Sequence, residues 1–118
     1  MTLQECYQRM EGDYAGVLGR LAQEERIKKF VLRFLDDPTF RALCEAKGKE
    51  DYEAVFREIH TLKGVSQNLG FAKLYQASFA MTEAVRGGVK LEDESLFDAV
   101  QLEYGRTLAA IEEYKNSL

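Results

Sequence analysis

Between Tyr52 and Leu69, apolar and small residues recur in steps of three and four, at Tyr52, Val55, Ile59, Leu62, Ser66 and Leu69. A period of 3.6 residues puts all of them on one narrow stripe of a helix, the kind of stripe that packs in a bundle. The alternation that a half-buried strand needs is missing here, and runs of β-branched residues are missing throughout. Leu, Ala, Glu, Lys, Arg and Gln dominate, with one proline and no tryptophan. Good helix formers therefore carry the chain, and the expected fold class is all-α.

The rest of the sequence divides in the same way. Thr2 with Glu5 fits a capping box for a short helix over about 2–10, and Gly12-Asp13 punctuates the chain before a second short helix to about Arg20. Ile27, Phe30, Val31, Phe34 and Leu35 mark a helix over 23–36. Asp36-Asp37-Pro38 stops it, and Asp37 as N-cap with Pro38 in the first helical position starts a shorter one over 38–47. The central stripe predicts a helix over 51–69, with Gly70 just past its end. Leu74, Ala77, Ser78, Met81 and Val85 predict a helix over 71–87 that ends at Gly87-Gly88. Phe97, Val100, Tyr104, Leu108, Ile111 and Leu118 predict a last one over 93–117. Long helices joined by short connections predict an antiparallel up-down-up-down four-helix bundle with short extra N-terminal helices, a single domain over 1–118.

Charge and cysteine usage narrow the function. A net charge of −4 with no basic tract argues against a nucleic-acid or anionic-membrane partner. Cys6 and Cys44 form no disulfide framework and no Cys-x-x-Cys pair, and one histidine is too few for a metal cage built from protein alone. Neither a metal nor a bound cofactor is expected. The start of the chain is polar, and the longest apolar stretch, Phe30 to Leu35, is broken by Arg33. Membrane insertion is not expected, and the expected setting is cytoplasmic.

The one histidine, His60, has Lys63 three residues on and Gly64 four residues on. On a helix those positions share its face one turn later. Side chains lean toward the helix N-terminus, so a bulky residue at 64 would fold over the His60 ring. Glycine in mid-helix costs about 1 kcal/mol relative to alanine, and access to the imidazole by something large is a reason to tolerate that. At roughly 100° per residue, His60 lies on a flank open to water beside the buried stripe, with Phe56, Lys63 and Gln67 on the same shoulder. A neutral imidazole is a nucleophile near neutral pH, and a nearby ammonium favours the neutral ring. The same ammonium can neutralise charge on phosphoryl oxygens. The chain carries no Gly-rich phosphate loop, no Walker-type lysine and no aspartate cluster for Mg²⁺. A phosphoryl donor must bring its own metal and binding site.

The run His60-x-Leu62-Lys63-Gly64-x-Ser66-x-x-Leu69-Gly70 resembles the signature of histidine-containing phosphotransfer (HPt) domains of two-component phosphorelays. The resemblance implies a helical bundle with His60 exposed midway along one helix as the phosphoacceptor. It implies Lys63 as a contact of the phosphoryl group and Gly64 as the opening for a partner. Many members place a glutamine on the next helix to orient the imidazole. That position here is Thr82 by spacing, so Thr82 or Gln67 supplies the interaction. The implied activity is that of a phosphocarrier, not a kinase. It would take its group from a receiver-domain aspartate or a sensor histidine kinase and hand it to another response regulator, with Mg²⁺ staying on the receiver. The alternatives are a docking module that is never phosphorylated and the substrate domain of a chemotaxis-type kinase. Phe56 and Arg57 are the candidate docking residues, whereas Phe30, Phe34 and Ser66 read better as core. A monomer is expected, since one face must stay free for a large partner.

Overall fold

A computed structural model describes residues 1–118 as seven α-helices without a strand. They are α1 (Leu3–Arg9), α2 (Tyr14–Leu21), α3 (Glu24–Phe34), α4 (Thr39–Gly48), α5 (Tyr52–Asn68), α6 (Ala72–Ala84) and α7 (Ser95–Asn116). No helix is long and apolar enough to cross a membrane.

The helix starts follow from local hydrogen bonding. Thr2 and Glu5 close both halves of a capping box on α1. Asp13 accepts from the Gly16 N–H at 2.9 Å to start α2, and Asp51 accepts from the Ala54 N–H at 3.2 Å to start α5. The start of α4 differs from expectation. Pro38 itself is the N-cap, and the Asp37 carboxylate reaches past it to accept from the Thr39 N–H at 2.8 Å. This two-residue reach is an Asx turn, which moves the helix one residue on.

The later boundaries also shift inward. α6 ends at Ala84, because Gly87 and Gly88 turn the chain with φ of 84° and 76°. α7 begins at Ser95, where Asp93 accepts from both the backbone N–H and the hydroxyl. At the other end of α7, Tyr114 is the last buried residue and Leu118 is 62% exposed, so the apolar stripe stops short of the C-terminus.

α5 packs between α4 and α6, while α7 lies against α6 and α1. Arg86, just past the end of α6, sits over Phe56 of α5, and Lys63 of α5 over Phe79 of α6, so these two helices run antiparallel. α4 and α7 are likewise antiparallel. Phe40 stacks on Tyr104 with centroids 4.1 Å apart, and at the other end Lys47 bonds Glu94 at 2.7 Å. The element expected as a long helix over 23–36 is the shorter α3. It packs on α2 and α7, and α4 takes the place along α5. Pro38 and the Asp37 turn separate the two, and Phe34 at the end of α3 is drawn in against Phe71 and Tyr104.

The core is one cluster of 24 buried hydrophobic residues that includes Val55, Ile59, Leu62, Leu74, Met81, Val100 and Ile111. Each fully buried aliphatic side chain contributes roughly 1.5–3 kcal/mol. The N-terminal helices cover the end of the molecule where α5 gives way to α6. There the Tyr7 hydroxyl donates to the Leu69 carbonyl at 2.6 Å, inside the core.

The end of α5 is a Schellman turn. Gly70, with φ of 71°, donates to Gln67 O, and Phe71 donates to Ser66 O at 2.9 Å. The Asp13 N–H in turn donates to Gly70 O at 2.8 Å, which ties α2 to this turn. A Cβ at Gly70 would stand 2.7 Å from Asp13 O. Gly70→Ala therefore meets a steric clash as well as a left-handed backbone, and we expect it to destabilise the fold by more than about 1 kcal/mol. Ser78→Ala should act in the opposite direction. Ser78 Oγ is a buried side-chain oxygen without a hydrogen-bond partner, and its removal should add up to about 1 kcal/mol. Urea denaturation of the two variants checks both signs.

Candidate functional site

The rotation of α5 about its own axis places the histidine. Val55, Ile59, Leu62 and Ser66 are buried, and Ser66 donates its hydroxyl to Leu62 O at 2.7 Å. His60 follows Ile59 by one residue and is exposed near the middle of α5. Phe56, one turn earlier, lies against it with ring centroids 5.8 Å apart and planes at 46°.

The half-buried Lys63 has its Nζ 5.5 Å from the Phe79 ring centroid. A Cβ at Gly64 would meet nothing within 4 Å. The packing of this chain therefore does not demand a glycine there, and the space over the ring is open to whatever approaches. The other two candidates on α5, Arg57 and Gln67, are exposed on either side of the histidine, and Arg57 lies 3.6 Å from Glu58. At the end of the helix, Arg20 of α2 donates to Gln67 O and Asn68 O at 3.0 and 3.2 Å. Its cation thereby opposes the negative end of the α5 dipole. Arg20, Gly64, Gln67 and Asn68 line a polar recess of about 230 Å³ beside the histidine.

Thr82 does not sit with this group. It is fully buried, and its hydroxyl donates to Ser78 O at 2.6 Å. Its proton is committed within α6, so Thr82 could meet the ring only as an acceptor. Spacing located the position along α6 but not the rotation of α6, which turns Met81 and Thr82 inward. The residues of α6 and of the turn after it that do come to this face are Phe79, Glu83 and Arg86. Phe79 is 43% exposed, and Arg86 has its Cζ 5.6 Å from the Phe56 ring centroid. Sequence reasoning missed all three. Their i, i+4, i+7 spacing on a helix was the available signal.

Phe34 is core, and Phe30 is half-buried at the lip of a recess of about 460 Å³ between α3 and the end of α5. No group of three or more His, Cys, Asp and Glu side chains is placed to hold a metal ion. Competing nucleophiles are suppressed. Burial pushes the Cys6 thiol up to about 11, and burial also raises Cys44 above its ordinary value. Both stay protonated near neutral pH, when thiolate is the reactive form.

These features define a helical module that presents a single exposed imidazole, flanked by a cation and an open position. The family model of the Hpt domain matches residues 2–113, and the chain belongs to that family. Hpt domains act in two-component phosphorelay signalling, as phosphocarriers and not as enzymes in general. No curated protein and no solved structure matches the chain.

The open position over the ring has a thermodynamic consequence. Gly64→Ala places a methyl group in empty space on a helix interior, and it should stabilise the fold by up to about 1 kcal/mol. Thermal or urea unfolding measures this, and a loss of stability would show that the glycine serves packing after all.

Proposed function

We propose that the chain is a phosphorelay intermediate in which His60 accepts a phosphoryl group from a receiver-domain aspartate, or from a sensor histidine kinase, and passes it to another response regulator. One observation carries the reading: in a chain of the Hpt family, the only histidine is exposed in mid-helix, with Lys63 one turn on and open space over Gly64. In transfer from a receiver, the His60 Nε2 lone pair forms the N–P bond as the acyl O–P bond breaks. The aspartate leaves as a carboxylate, and the Nδ1 proton remains on the ring. Lys63 neutralises charge on the phosphoryl oxygens as it moves. Mg²⁺ belongs to the receiver, and a neutral imidazole attacks phosphorus without a separate base.

The supporting architecture is α4 to α7 as an antiparallel up-down-up-down bundle that holds His60 outward. Phe56 and Arg57 are the docking residues on α5, and exposed Phe79 extends their surface onto α6. Gln67 lies on the same shoulder, and orientation of the ring falls to it and to Phe56. We take the functional unit to be a monomer with this face free. A cytoplasmic setting agrees with the two free thiols.

Incubation with a phosphorylated receiver domain should label the wild-type chain with an acid-labile, base-stable phosphoryl group. His60→Gln should abolish the label while the helical circular dichroism is retained. Label that persists on His60→Gln would remove His60 from the role. Lys63→Ala should slow transfer by about tenfold without abolishing it, the effect of losing one charge beside the reacting phosphorus. Unchanged transfer rates would refute that role for Lys63.

A further inference from the structure

Two cations of the His60 shoulder each lie over an aromatic ring across the seam between α5 and α6. Lys63 of α5 lies over Phe79 of α6, and Arg86, in the turn after α6, lies over Phe56 of α5. Phe56 also touches the His60 ring, so only one aromatic side chain separates Arg86 from the imidazole. Between Phe79 of α6 and Arg86 in the turn after it comes Glu83. Its carboxylate accepts from Arg86 Nη2 at 2.5 Å and from Arg86 Nε at 3.3 Å. Those hydrogen bonds hold the Glu83 carboxyl below the usual carboxylate range, and the Lys63 ammonium adds to the effect. Glu83 thus holds Arg86 in an ion pair, with the Lys63 charge close enough to be felt, before any phosphoryl group arrives.

We propose that Glu83 is a positioning residue that sets how firmly His60 retains a phosphoryl group, by competing with that group for Lys63 and Arg86. Phosphorylation of His60 brings about two negative charges to the shoulder. The same two cations are then shared between the phosphoryl oxygens and the Glu83 carboxylate, so each holds the phosphoryl group less firmly than it would alone. Glu83 therefore weakens retention and favours onward transfer, which is the behaviour a carrier needs. The inference rests on the reading of His60 as the phosphoacceptor, and it adds a residue of α6 that acts only through the cations.

The test uses phosphoramidate, a small donor that needs neither metal nor partner. His60 Nε2 forms the N–P bond, the P–N bond of the donor breaks, ammonia leaves, and Nδ1 keeps its proton. Phosphorus NMR of the full chain, at equilibrium with phosphoramidate and added ammonium, reads the share of phosphohistidine. Glu83→Gln should raise the equilibrium constant for phosphorylation roughly threefold in low salt, the size of one exposed charge interaction. Glu83→Asp should stay near wild type. The gain should fade in about 1 M salt, where the screening length is only about 3 Å. It should also fade when Lys63→Ala and Arg86→Ala are both present.

An equal share in wild type and Glu83→Gln at low salt would overturn the proposal. So would a gain that survives high salt or the loss of both cations, because a purely structural effect would behave that way. A chain that is labelled by phosphoramidate but never by receiver domains would refute the relay role and leave the Glu83 effect standing or falling on its own numbers. A wild-type chain without label would overturn both.

Discussion

The burial of one side of α5 is the constraint on which the rest of the molecule depends. Val55, Ile59 and Leu62 are almost wholly removed from water, and together they fix the angle of the helix about its axis to within a fraction of a turn. His60 is exposed because Ile59 is not. A shift of one residue in that stripe would carry the imidazole into the core and expose an isoleucine, at a cost of several kcal/mol. The position of the reactive group is thus held by apolar packing behind it, and its own contacts can stay few.

The end of α5 is secured by a different kind of interaction. Tyr7, Asp13, Arg20 and the Gly70 turn all bond the backbone where α5 meets α6. Each satisfies a carbonyl or amide that a helix end leaves open. The N-terminal helices therefore act less as a second core than as a clamp on the helix that carries His60. This clamp also brings Arg20 to the polar recess beside Gly64.

Charge on the His60 face is arranged across two helices. Lys63 on α5 rests on a ring of α6, and Arg86, just past the end of α6, rests on a ring of α5. Such contacts hold long flexible side chains at a known place without burying the charge. Glu83 adds the opposing sign. The result is a shoulder whose electrostatics are set by the antiparallel pairing of α5 and α6, although the chain as a whole is acidic.

Much of this was legible in the residues themselves. The stripe from Tyr52 to Leu69 implied the helix and the exposed flank of His60, and Gly70 implied where that helix ends, because periodicity and turn chemistry act within one helix. Thr82 marks the limit. Counting along α6 put it opposite the histidine, but α6 is rotated so that Met81 and Thr82 face inward and Glu83 faces out. The same holds for α3 and α4: the stripe over 23–36 read as the longer bundle helix, yet it is α4 that lies along α5. The sequence alone determined an all-helical chain with one imidazole on an open flank, since those depend on a single helix and its period. Only tertiary packing decided which side chains of the neighbouring helix share that flank, because the rotation and stagger of two helices are chosen by the core between them.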